Sequence, residues 1–131
     1  MTWTFDHVSL NASGQQEIAR FFGDVLGWQP GYRPDFGFDG QWLYNGEQAA
    51  VHLLARPGTT PHVTFAHLAF RTDEAAEAVI ERVRDSGYRW QAGRHPDKPA
   101  AQIFVELPGG VVLELEAPLT TPTGSPNEPT K

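Results

Sequence analysis

Phe65-Ala66-His67-Leu68-Ala69-Phe70 is the stretch that decides the fold. Sixty positions earlier stands Phe5-Asp6-His7-Val8-Ser9-Leu10, with the same skeleton of aromatic, spacer, His, aliphatic, small and large apolar residue. Each stretch alternates as a half-buried strand does, and each is followed by an apolar pattern of helical period. Each helical pattern ends in glycine, at Gly27 and Gly87, again sixty positions apart. Two landmarks in register indicate a duplicated supersecondary unit.

Working outward, Trp3 to Leu10 is expected as the first strand. Ser13 then reads as a helix N-cap, with Gln16 three positions on to complete a capping box. Ile18, Phe21, Phe22, Val25 and Leu26 form one apolar stripe, and Gly27 ends the helix in the left-handed conformation. Further strands are expected over 28–33, 41–44 and 49–55. Asn45-Gly46 marks a hairpin between the last two. After a linker at 56–61 the pattern repeats. A strand spans 63–70, and a helix capped by Thr72 or Asp73 carries Ala76, Val79, Ile80 and Val83. Strands follow at 88–92, 102–107 and 111–116, with Pro108-Gly109-Gly110 as a turn.

The expected architecture is therefore α+β: two tandem βαβββ modules forming a curved mixed sheet, a cup with its helices outside. One domain covers 1–118, with module one at 3–56 and module two at 62–117. The Pro-rich polar stretch 119–131 reads as a flexible tail.

Composition narrows the function. Hydrophobic residues make up 40% and charged residues 20% of the 131 positions, as in ordinary globular proteins. No apolar run is long enough for a membrane span. The first residues lack a basic region and an apolar core, so no secretory signal is expected. With no cysteine, disulfides and thiolate ligands are excluded, and a cytoplasmic location is expected. The formal net charge of −6 argues against a nucleic-acid partner, which needs a basic stripe.

The strand period of two then sorts the polar residues. His7 shares a face with Phe5 and Ser9, opposite Val8 and Leu10. His52 faces away from Val51 and Leu53, and His67 away from Leu68 and Phe70. Glu114 faces away from Leu113 and Leu115. His7 and His67 occupy equivalent first strands, and His52 and Glu114 equivalent last strands. If the two sheets face each other, three imidazoles and one carboxylate converge. That donor set suits Zn, Ni, Co, Mn or Fe and suits Ca or Mg poorly. A carboxylate on an inward strand also needs a compensating charge. Glu116 reads as rim, and His62 and His95 stand in loop-like contexts.

These stretches, Phe-Asp-His7-Val, Trp42-Leu-Tyr-Asn-Gly46 leading to Val-His52-Leu, His67-Leu-Ala-Phe and Pro-Gly-Gly-Val-Val-Leu-Glu114-Leu, resemble the vicinal-oxygen-chelate superfamily. It includes glyoxalase I, methylmalonyl-CoA epimerase, extradiol dioxygenases and bleomycin-resistance proteins. The resemblance covers about residues 3–117. It implies His7, His52, His67 and Glu114 as metal ligands, with Glu114 also the catalytic proton shuttle. His52 departs from the Glu or Gln usual there, so it is either a ligand, a group just outside the ligand set or an acid–base residue. The resemblance further implies a small oxygen-chelating substrate, lyase, isomerase or epimerase chemistry through an enolate-like intermediate, and a homodimer. Two alternatives stand beside it: an Fe(II) extradiol-type dioxygenase using His7, His67 and Glu114, and a non-catalytic small-molecule binder of the bleomycin-resistance kind.

Overall fold

The structure, a computed structural model, describes residues 2–120. Most of the expected tail at 119–131 lies outside the described residues. The elements run β1 (Trp3–Ser13), α1 (Gln15–Phe21), a π-helical turn (Phe22–Leu26), β2 (Gln29–Gly31), β3 (Gly40–Asn45) and β4 (Gln48–Ala55). They continue with β5 (His62–Thr72), α2 (Ala76–Ser86), β6 (Arg89–Arg94), β7 (Ala100–Glu106) and β8 (Val112–Pro118). Strand, helix and three strands thus occur twice, and the fold is α+β as expected. Pairing is mixed: β1 and β4 run parallel, and β2/β3, β3/β4, β6/β7 and β7/β8 run antiparallel.

The chain divides into two compact units. One holds Asp6–His67, and the other holds the residues up to Phe5 together with Leu68 onward. In the unit of Asp6–His67 the strand order is β2-β3-β4-β1. Val8 pairs with Val51 and Leu10 with Leu53, so both strands turn the same face to the helix. Val51, Leu53, Leu43, Ala12 and Ala19 form its core, with Val8, Leu10, Ile18, Phe22 and Trp28 packed against it. Burying one such large aliphatic side chain is worth about 1.5–3 kcal/mol.

Two expectations in this unit need correction. Ser13 does not cap the helix. It is the last residue of β1, and its hydroxyl donates to the Thr60 carbonyl at 2.8 Å. Gly14 takes the N-cap position at φ 55°, without a side-chain cap bond. The linker lies too close for anything larger. A Cβ on Gly14 would stand 2.7 Å from the Thr59 oxygen and 2.8 Å from the Pro61 nitrogen. The five-residue stripe is also not buried as a unit. The π turn adds a residue to the helical repeat, rotating the face, and Phe21, Val25 and Leu26 stay 57%, 62% and 47% exposed. Gly27 does adopt the expected left-handed cap, at φ 74°. The hairpin forms too, but Asn45 pairs with Gln48, so its loop is Gly46-Glu47. Gly46 alone has positive φ there, as a type II′ loop requires.

In the other unit the order is β5-β8-β7-β6. Ala76, Val79, Ile80 and Val83 of α2 are all buried, as expected, with Trp90, Ile103, Val105 and Ala117. The helix starts later than expected, with Ala75 as N-cap and no side-chain cap bond. The Thr72 hydroxyl donates instead to the Thr2 carbonyl at 2.8 Å and accepts from the Glu74 amide at 3.2 Å. Gly87 ends α2 at φ 80°.

Gly14→Ala and Gly87→Ala separate backbone strain from steric collision. Nothing lies within 4 Å of a Cβ on Gly87, so that change costs about 1 kcal/mol. Gly14→Ala carries the same strain plus the collision, and urea unfolding is expected to register a loss of about 2 kcal/mol or more.

Candidate metal centre

β1 and β4 place the first two imidazoles. Ser9 is paired with His52 and Val8 with Val51. The odd-numbered positions of β1 and the even-numbered positions of β4 therefore share the face turned away from α1. His7 is 3% and His52 6% exposed. Their rings stack, with centroids 3.4 Å apart and planes within 16°. On its other side His52 stacks on Trp42 of β3, at 3.9 Å and 14°. Trp42 is the cross-strand partner of His52, so the sheet register itself creates the contact.

His67, in β5, meets His7 differently. Their ring centroids are 5.9 Å apart and their planes are inclined at 71°. A ligating nitrogen offers its lone pair in the plane of its ring. Inclined planes let two lone pairs meet at one ion about 2.1 Å from each nitrogen. Parallel planes 3.4 Å apart aim their lone pairs side by side. The His7 and His67 planes are inclined in the first way, and the His7 and His52 planes lie in the second.

Sequence reasoning gave Asp6 no role. Its carboxylate lies 2.6 Å from His7 Nδ1. An ionised carboxylate only accepts, so Nδ1 carries the proton and the lone pair of the neutral ring lies on Nε2. This is the carboxylate–imidazole support common behind metal-binding histidines. The signal was present as the Asp immediately before His7, a neighbour that strand parity sends to the opposite face.

In the other unit Glu114 lies mid-strand in β8, opposite Phe104 of β7, and is 5% exposed. Leu113 and Leu115 face the other way, as expected; Leu115 packs on the α2 core. Glu116 is no deep ligand. It pairs with Lys98 Nζ at 2.7 Å, and that lysine is half exposed. His62 is exposed at the start of β5. His95 is buried, contrary to its loop-like setting. Its Nδ1 accepts the Asp97 amide at 3.0 Å, and its own amide donates to the Ala100 carbonyl at 2.8 Å. Burial pushes its pKa below the usual histidine value; Lys98 adds to this, and Glu116, Asp97 and Glu114 oppose it.

The profile of the Glyoxalase/Bleomycin resistance protein/Dioxygenase superfamily matches residues 4–115, and the chain belongs to that superfamily. Methylmalonyl-CoA epimerase from Mycobacterium tuberculosis is similar over 87% of each chain, at 23% identity and TM-score 0.61. The Mn(II)-bound glyoxalase from Novosphingobium aromaticivorans is similar over 88% of this chain and 38% of its own, at 24% identity and TM-score 0.64. The 2,3-dioxygenase LapB from Pseudomonas sp. KL28 is similar over 92% of this chain and 42% of its own, at 18% identity and TM-score 0.67. At these identities the likeness establishes the fold. No curated protein matches the chain. Among the described residues, no helix is long and apolar enough to cross a membrane.

The lowered His95 pKa fixes the sign of a pH effect. Between its folded pKa and the ordinary value of about 6.5 the unfolded chain binds the extra proton. Stability supplied by neutral His95 is therefore present above that window and lost as pH falls through it. His95→Gln, which keeps an acceptor for the Asp97 amide, is expected to lose less stability than wild type between pH 7 and pH 5 in urea unfolding.

Proposed function

We propose that the chain is a divalent-metal-dependent enzyme acting on a small oxygen-chelating substrate, of the lyase, isomerase or epimerase type. The observation that carries this is the crossing of the rings of buried His7 and half-buried His67, with Nε2 of His7 left as donor by Asp6. Glu114, buried in β8, is the carboxylate we assign as the third donor. Two neutral imidazoles and one carboxylate suit Zn, Mn, Co, Ni or Fe. Such an ion, when bound, supplies Lewis acidity toward a substrate oxygen.

The chain's own residues carry the rest. Glu114 is the proposed proton shuttle, since a buried carboxylate can take a proton from a carbon beside a carbonyl. His7 and His67 fix the position of the positive charge, and one carboxylate leaves the loaded site net positive, which favours an oxyanion. His52 and Trp42 hold the His7 ring in plane. A homodimer and a cytoplasmic location belong to the same proposal; the exposed Phe21, Val25 and Leu26 offer apolar surface for self-association.

The place of His52 favours one second reading. An Fe(II) extradiol-type dioxygenase uses two histidines and one carboxylate and needs a further histidine beside them for proton transfer, as the stacked His52 would be. Oxygen uptake on catechols after anaerobic iron loading separates it from the first.

Metal analysis of the purified protein tests the common ground. One ion per chain is expected, retained in His52→Ala and lost in His67→Ala and Glu114→Gln. Asp6→Asn is expected to weaken affinity by about tenfold or more. No bound metal after loading with Mn, Zn or Co, or full retention in both ligand variants, would overturn the proposal.

A further inference from the structure

A bulge near the start of β4 gives Gln48 a contact that the proposed chemistry does not use. Leu43 stands opposite Val51, and its neighbour Tyr44 opposite Ala49, so Ala50 is an extra residue in β4. One extra residue moves the chain before it onto the other face of the sheet. Asn45 pairs with Gln48, and Gln48 therefore stands on the face opposite His52. Strand parity sends Asp6 of β1 to that same face, one residue from His7. The exposed Gln48 amide uses this position: its Nε2 donates to the Asp6 carbonyl at 2.6 Å.

The bulge also accounts for a side chain making this bond. The β1/β4 ladder runs from Val8 and Val51 to Ala12 and Ala55. It ends beside Ala50, and Asp6 lies before its first pair. Beyond the ladder, the Gln48 side chain ties β4 to the Asp6 backbone. That backbone has an unusual task. Neighbouring side chains on a regular strand point to opposite faces, yet the Asp6 carboxylate lies 2.6 Å from Nδ1 of its own neighbour, His7. The contact depends on how the Asp6 backbone is set, and Gln48 is a group that holds it.

We propose that Gln48 is a positioning residue that sets, through Asp6, which nitrogen of His7 carries the proton. With Asp6 held, Nδ1 donates to the carboxylate and Nε2 keeps the lone pair. With Asp6 released, the proton can move to Nε2, which then offers no lone pair to an ion. The inference rests on the proposed function for His7 as a ligand and adds what holds that ligand in its binding form. The proton's place on the ring needs no metal, so the two can be tested apart.

Nitrogen-15 NMR of the metal-free protein, at a pH where the rings are neutral, tests this. A ring nitrogen that carries a proton is shifted far from one that bears a lone pair, and His7→Gln assigns the signals. Wild type is expected to show His7 in the Nδ1–H form. Gln48→Met keeps the side chain's length and removes its donor. It is expected to give a mixture of both forms and to weaken metal binding about two- to tenfold, the range that one hydrogen bond contributes. Gln48→Lys, which returns a donor, is expected to restore the Nδ1–H form. Added to Asp6→Asn, Gln48→Met is expected to cost no further affinity. An Nε2–H form in wild type overturns the inference without any variant. An unchanged Nδ1–H form in Gln48→Met also overturns it, as does an affinity loss that adds in full to that of Asp6→Asn. A His7 proton that follows Gln48 in a chain binding no metal supports the inference and removes the proposed function. Metal binding with a His7 proton indifferent to Gln48 does the reverse.

Discussion

The pairing of β1 with β4 in one fixed register is the constraint on which the rest of this structure depends. Because Ser9 stands opposite His52, Val8, Leu10, Val51 and Leu53 go to the helix, and His7 and His52 go to the other face. The register is held by the apolar side. Val8, Leu10, Val51 and Leu53 have nowhere else to bury, and a slip of one residue would send them all to the wrong face. The polar face is thus ordered by a core in which it takes no part. That suits a site made of histidines, since imidazoles alone give a sheet little reason to choose one alignment.

Much of this was legible in the residues. Alternation and helical spacing are local signals, and so are the left-handed glycines at 27 and 87, which is why the strands, the buried stripe of the second helix and both glycine-ended helical termini emerged near where they were expected. Contacts between segments distant in sequence were not legible. Ser13 has the chemistry of a helix cap, but the Thr60 carbonyl, brought close by the chain's return, takes its hydroxyl. The π turn that exposes Phe21, Val25 and Leu26 has no distinct local signature, since a single extra residue in a helical repeat leaves the composition unchanged. His52 was correctly placed on its face, but parity says nothing about ring planes. Only the Trp42 and His7 contacts show that it is sandwiched.

Superfamily membership constrains the scaffold more than the reaction. The similar structures include an epimerase, a glyoxalase and a dioxygenase, three chemistries on one arrangement of strands. What differs within such a scaffold is the donor set and the groups beside it. Here the imidazole of His52 stands stacked between Trp42 and His7. The proposed reaction then depends on local features of this chain: Asp6 behind His7, His52 beside it and Glu114 as the sole carboxylate of the set.

The number of imidazoles that actually bind the ion tests this account most directly. In the cobalt(II)-loaded protein, each ligated histidine contributes a strongly shifted, solvent-exchangeable N–H resonance to the paramagnetic proton NMR spectrum. The account predicts two such resonances, from His7 and His67, unchanged in number in His52→Ala. Three resonances with one lost in His52→Ala, or none at all, would contradict it.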